Sequence, residues 1–283
     1  GLNKPGMLHL KFYIKINIEK WKYISTSLSS QKGDKSLLKI KNLTKIYEDG
    51  TVALKDVSFE VPDGEFMIIL GLSGAGKSTL LRCINRLIEP TKGNIIWDEK
   101  DITKASDEEL RKIRRNIGMI FQEFNLVERS SVITNVLSGR LGYVKTLSSV
   151  FHRFPKKERE RAFQNLDRVG IADLAHKRAD ELSGGQRQRV GIARALMQEP
   201  HLMLADEPVA SLDPVLAHTI LRYLEQLNQE DGITVICSLH FLDLVRRYGT
   251  QVVGLKDGRV VFQGLPEEIT DQRFKEIYGE EAE

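Results

Sequence analysis

Cysteine is nearly absent. The 283-residue chain has two, Cys83 and Cys237, each within an apolar segment. That number excludes a disulfide framework, suits a reducing compartment and marks both residues as small core side chains. Also missing is any apolar run of the roughly 18 residues needed to cross a bilayer, so a transport role would require partners that supply the membrane path. The N-terminus has neither an uninterrupted apolar core nor a small-residue cleavage site, and no secretory signal is read there. A large excess of either charge is lacking too. The formal net charge is +3, and residues 1–36 hold seven Lys against two acids, which leaves the rest of the chain slightly acidic. Bulk charge therefore argues against nucleic acid as a partner. What is present, 41 % hydrophobic and 29 % charged residues, is the balance of a globular protein with room for one large domain or two modest ones.

The text changes character near residue 38. Residues 1–37 read as an N-terminal extension, expected to be poorly ordered or foreign to the natural chain, since it opens on Gly rather than Met. Within it, apolar residues alternate from Leu8 to Ile18 as in a strand, and 25–35 is a Ser-, Lys- and Gly-rich linker. Residues 38–43 and 57–61 alternate like strands of an antiparallel sheet. The run 66–70 is apolar throughout and ends at Gly71, as a buried strand does. Residues 76–87 read as a helix closed before Pro90. A strand at 94–97, a charged helix at 107–115 and a strand at 117–121 follow. Residues 134–169 read as mostly helical with a break near 151–155, and 185–198 as a further helix. Strands at 201–205, 233–238 and 251–255 alternate with helices. This order predicts an α/β fold with a parallel sheet covered on both faces. Residues 38–266 would form the main domain, with a helical subdomain at about 123–182. Residues 267–283 would form a C-terminal helix and acidic tail, too short for an added regulatory domain.

Two runs carry the chemistry. Gly71-Leu72-Ser73-Gly74-Ala75-Gly76-Lys77-Ser78-Thr79 contains the phosphate-loop pattern, between an expected strand and an expected helix. Its glycines let backbone N–H groups close around phosphate oxygens, and the helix N-terminus adds partial positive charge. Lys77 is placed to reach the β- and γ-phosphates, and the Ser78 hydroxyl to ligate Mg²⁺. Leu202-Met203-Leu204-Ala205-Asp206-Glu207 ends an apolar strand on two carboxylates. Buried charges cost several kcal/mol unless paired or bound to metal. Asp206 is therefore the expected Mg²⁺ partner and Glu207 the general base that polarises the attacking water.

With these runs in place, Leu182-Ser183-Gly184-Gly185-Gln186 is identical to the signature of ABC transporter ATPases, and the chain resembles that family over about residues 38–265. The resemblance implies a P-loop NTPase: a RecA-like parallel core sheet, an antiparallel β subdomain and an inserted helical subdomain. It implies that Gln122 approaches Mg²⁺ and the γ-phosphate, that His240 hydrogen-bonds the γ-phosphate, and that Tyr47 stacks on adenine. Ser211-Leu212-Asp213 resembles the family's D-loop, which brings Asp213 to the nucleotide. Ser183, Gly184, Gly185 and Gln186 would meet the γ-phosphate of ATP held by a second copy. Two chains would thus sandwich two ATP molecules; ATP closes the dimer and hydrolysis opens it.

Beyond the motifs, the runs Gly118 to Arg129, Asn135 to Gly142 and Asp206 to Pro214 are similar to phosphonate-type importers. The stretch 143–155 would lengthen the helical subdomain as in that group. The resemblance implies an ATPase at the cytoplasmic face of the bacterial inner membrane that powers import of phosphonates or related anions such as phosphite. A permease would dock near 122–129, where Phe124, Leu126 and Val127 are apolar in a loop-like segment, and a solute-binding protein would act indirectly. Importers of amino acids or phosphate, and ABC ATPases acting without transport, are the alternatives.

Overall fold

The computed structural model describes residues 36–143 and 154–279. The alternating stretch at 8–18, the linker at 25–35, most of the break and added length expected at 143–155, and the acidic end at 280–283 lie outside these residues. Along the chain the elements are β1 (Ser36–Ile46), β2 (Val52–Pro62), β3 (Phe66–Leu70), α1 (Lys77–Ile84), β4 (Lys92–Trp97) and β5 (Lys100–Asp101). Next come α2 (Asp107–Arg114), β6 (Ile117–Ile120), α3 (Val132–Ser138), α4 (Lys156–Arg168) and α5 (Gly184–Leu196). Then follow β7 (Leu202–Ala205), α6 (Pro214–Gln229), β8 (Thr234–Leu239), α7 (Leu242–Tyr248), β9 (Gln251–Lys256), β10 (Arg259–Gly264) and α8 (Asp271–Tyr278).

The strands make two sheets. One is antiparallel, in the order β2-β1-β4-β5; the other runs β10-β9-β3-β8-β7-β6 and is parallel except at β9–β10. Strands β3, β6, β7 and β8 are buried at every position, and all their residues but Thr234 and Ser238 are apolar, because both their faces are covered. Successive side chains leave opposite faces, so each strand feeds two cores. Phe66, Ile68 and Leu70 of β3 pack with Val136, Leu166, Val190 and Leu224 from the helices. Met67 and Ile69 of the same strand pack with Leu38, Leu54, Leu80 and Ile95 from the antiparallel sheet and α1. β7 and β8 divide alike, with Met203, Val235 and Cys237 on one side and Leu204 and Ile236 on the other. Each such buried side chain contributes about 1.5–3 kcal/mol, which fixes the strands that end at the site.

The expected helical stretch has no separate core. Val132, Val136 and Leu137 of α3 and Ala162 and Leu166 of α4 join the cluster on one face of the parallel sheet. The reason is α5, which packs on α3, α4 and β6 at once. The helix expected to reach residue 87 stops at Ile84, because Arg86 takes a left-handed φ of 48° and turns its guanidinium onto the carbonyls of Ile102 and Ala105. β10 is an addition to the elements expected from sequence. The helix expected in the C-terminal segment is α8; its buried Ile277 fills the space above Gly254 of β9, where a Cβ would lie 2.9 Å from Ile277 Cδ1.

Register places the site. Leu70 of β3 lies beside Leu239 of β8, Cys237 of β8 beside Ala205 of β7, and Ala205 beside Ile120 of β6. All four strands run parallel, so Gly71, Gln122, Asp206 and His240 leave the sheet on one edge. The C-terminal edge of such a sheet is where ligands bind.

Candidate active site

The loop between β3 and α1 turns through Gly74 and Gly76, with φ of 83° and 101°. Gly76 is the N-cap residue of α1, and no side chain caps that end. The first-turn N–H groups and the positive end of the helix are thus free of a competing side chain. A Cβ at Gly76 would stand 2.5 Å from the Ala53 carbonyl oxygen, so only glycine lets the loop close against β2.

Lys77 follows, 3 % exposed. Its Nζ donates to the carbonyls of Gly71 at 2.8 Å and Leu72 at 2.9 Å, and pairs with Glu207 Oε1 at 3.0 Å. These partners offset the desolvation of the ammonium. Ser78 Oγ donates to Asp206 Oδ1 at 2.7 Å. Asp206 is fully buried at the end of β7, where its N–H donates to the Ile120 carbonyl at 2.9 Å. Ser238 Oγ approaches Asp206 Oδ1 at 3.3 Å, and Arg82 Nη2 approaches Oδ2 at 3.5 Å. Glu207 has a left-handed backbone, φ 43°, and its N–H donates to Ser238 Oγ at 2.8 Å. That conformation costs on the order of 1–3 kcal/mol, and here it aims the carboxylate at Lys77. The Ser78 hydroxyl and the Asp206 carboxylate are hard oxygen donors 2.7 Å apart. They fit Mg²⁺, which takes one or two protein oxygens and leaves its other positions to water and phosphate.

Lys77 and Ser78, which with Thr79 open α1 after the loop that holds Ser73 and Ala75, are therefore brought together within one chain with Asp206 and Glu207, which follow β7. Tyr47 is joined to it, its hydroxyl 3.0 Å from Thr79 Oγ1 and its ring 5.2 Å from Lys45 Nζ. The other expected residues are not brought to this cluster. Gln122 is exposed just beyond β6. His240 is half-buried, its ring packed on Phe241 with centroids 4.1 Å apart. Asp213 caps α6, accepting from the N–H groups of Val215 and Leu216 at 3.0 and 3.1 Å. Ser183 caps α5 in a capping box with Gln186. Among the described residues, none of these four shares a hydrogen bond or ion pair with Lys77, Ser78, Asp206 or Glu207.

Sequence reasoning missed three residues. Ser238 bridges Asp206 and Glu207, and a hydroxyl in the apolar run of β8 was its only signal. Arg82 lies one turn beyond Ser78 on α1. Arg194 of α5 donates to the carbonyls of Phe124 and Asn125, whose φ of 59° and 49° are both left-handed. Of the three apolar residues expected to need cover at 124–127, Leu126 already packs partly against the core and Phe124 lies under Arg187. Val127 stands 62 % exposed, because Asn135 holds its N–H and carbonyl and turns its side chain out.

A phosphate loop facing a buried aspartate and a strand-end glutamate, on the C-terminal edge of a parallel sheet, defines a nucleoside-triphosphate hydrolase of the P-loop class. The profile of the ABC transporter family matches residues 54–210. The phosphonates import ATP-binding protein PhnC of Bdellovibrio bacteriovorus is 56 % identical over 248 residues, 87 % of this chain and 95 % of that protein. Its counterpart in Staphylococcus saprophyticus is 54 % identical over 244 residues, 86 % of this chain and 95 % of its own. A dimeric ATP-binding cassette in a post-hydrolysis state, bound to ADP and Pi, superposes with a TM-score of 0.71 at 37 % identity, covering 81 % of this chain and 98 % of that one. An ATP-binding cassette in its ADP conformation gives 0.74 at 31 % identity, covering 86 % and 97 %. The chain belongs to the ABC transporter family, among its phosphonate-import ATP-binding proteins. Among the described residues, no helix is long and apolar enough to cross a membrane.

Proposed function

We propose that the chain binds and hydrolyses Mg-ATP as a dimer and so powers a permease that imports phosphonates or related reduced-phosphorus anions. The observation that carries this reading is the four-residue cluster of Lys77, Ser78, Asp206 and Glu207. Lys77 is the cation that phosphate oxygens meet at the floor of the loop, while the uncapped start of α1 offers its N–H groups. Ser78 and Asp206 would hold Mg²⁺, which when bound would supply positive charge to the phosphates. Glu207, aimed by its left-handed backbone, accepts the proton of the attacking water. Tyr47 supports the adenine, and Gln122 and His240, on the same sheet edge, approach the γ-phosphate once nucleotide is bound. Ser183, Gly184, Gly185, Gln186 and Asp213 serve the ATP of the second copy.

The ATPase domain spans about 38–266, with its helical part at about 123–182. It sits at the cytoplasmic face of the inner membrane, and a solute-binding protein delivers cargo to the permease. Docking falls near Gln122 to Arg129. Supporting this is a cavity of about 240 Å³ beside Val127, walled by Thr134, Leu141 and Phe154. The experiment is growth on a phosphonate as sole phosphorus source. Lys77→Ala should abolish both growth and ATP hydrolysis. Val127→Glu should abolish growth while ATP binding by the isolated chain is retained. Growth of the Lys77→Ala strain would sink the function, and normal growth with Val127→Glu would sink the docking site.

A further inference from the structure

His240 sits in the short turn between β8 and α7. That turn has little support from its own helix, since the N-cap residue of α7 is Phe241 and no side chain caps that end. Support comes from 38 residues further along. The Tyr278 hydroxyl donates to the His240 backbone oxygen at 2.7 Å. Tyr278 is itself fixed. Its ring stacks on Phe274, centroids 4.4 Å apart at 22°, and the neighbouring Ile277 is buried against Gly254 and β9. A second tie runs nearby, from Arg246 of α7 to the Ile269 carbonyl at 3.0 Å, just before α8. Burial pushes the Tyr278 phenol above its ordinary value, so the hydroxyl keeps its proton and stays a donor at neutral pH.

We propose that Tyr278 is a positioning residue for ATP hydrolysis: its hydroxyl fixes the carbonyl of His240, and thereby the direction in which the imidazole is presented at the nucleotide edge. The C-terminal helix thus acts on the hydrolytic step. The proposal rests on the assignment of His240 to the ATP site. Among the described residues, none in α8 shares a hydrogen bond or ion pair with Lys77, Ser78, Asp206 or Glu207, so the effect falls on turnover and not on nucleotide affinity.

The test uses the full chain with Tyr278→Phe, which removes the hydroxyl and keeps the stacked ring. Loss of one positioning hydrogen bond should lower kcat about fivefold. The Kd for ATP should stay within about twofold, and Tm within about 2 °C. A kcat equal to that of the parent, or a fall in ATP affinity matching the fall in kcat, overturns the proposal. A drop in Tm of several degrees with loss of ATP binding also overturns it, by making the contact structural. His240→Ala is measured alongside. If it loses turnover while Tyr278→Phe is normal, only the positioning role fails. If His240→Ala turns over normally, the assignment of His240 fails instead.

Discussion

Two glycine-containing turns open helices in this chain, and they are built in opposite ways. The turn into α1 bends through left-handed glycines and leaves its helix end without a side-chain cap. The turn into α5 is closed by its own residues: Ser183 Oγ accepts from the Gln186 N–H at 3.3 Å, and Gln186 Oε1 accepts from the Ser183 N–H at 2.9 Å. Glycine does different work in each. At Gly76 it supplies a backbone conformation. At Gly185 it supplies room, since a Cβ would stand 2.9 Å from Leu216 Cδ1 of α6. The first helix start meets Glu207 and Asp206 of its own chain; among the described residues, the second shares no hydrogen bond or ion pair with that cluster. The contrast teaches that one helix start is met by carboxylates of its own chain while the other is closed only on itself, which suits the proposed site shared between copies.

The largest expected effect breaks the first region. Glu207→Gln keeps the shape and removes the base, so turnover should fall by about 10²–10⁴ with ATP binding retained; a steady-state phosphate-release assay checks it. Near-normal turnover would remove Glu207 from its role. A smaller and sharper effect concerns packing around the cradle. Cys83 lies in α1 and Cys237 in β8, both buried. Burial pushes the Cys83 thiol up to about 12 and the Cys237 thiol higher still. Both stay protonated at neutral pH, and the thiolate is the reactive form. Neither should be alkylated by iodoacetamide at pH 7.5 until denaturant is added, as mass spectrometry would show.

Much of the cradle was legible in the sequence, and the reasons are local. A phosphate loop is one continuous run, and two acids ending an apolar strand have no other ready use. Ser238 and Arg82 were not legible, because their roles arise from the pairing of β7 with β8 and from the approach of α1 to β7. The two cores were hidden too: an all-apolar strand such as β3 has no periodic pattern to show which side chain faces which layer. β10 did have a signal. Asp257-Gly258, with φ of 49° and 76°, is a two-residue hairpin turn of the kind that twisted strands favour. The signature was legible as a family mark, and Ser183 with Gln186 three residues on is also the sequence pattern of a capping box, which the structure closes.

The most direct test of the shared site is sedimentation of the Glu207→Gln chain with Mg-ATP, alone and combined with Ser183→Arg. Blocked hydrolysis should hold the ATP-bound state, so Glu207→Gln should sediment as a dimer. Adding Ser183→Arg should return it to a monomer that still binds ATP with the affinity of the isolated chain. A Glu207→Gln chain that stays monomeric with ATP, or a double variant that stays dimeric, would contradict a site completed by the second copy.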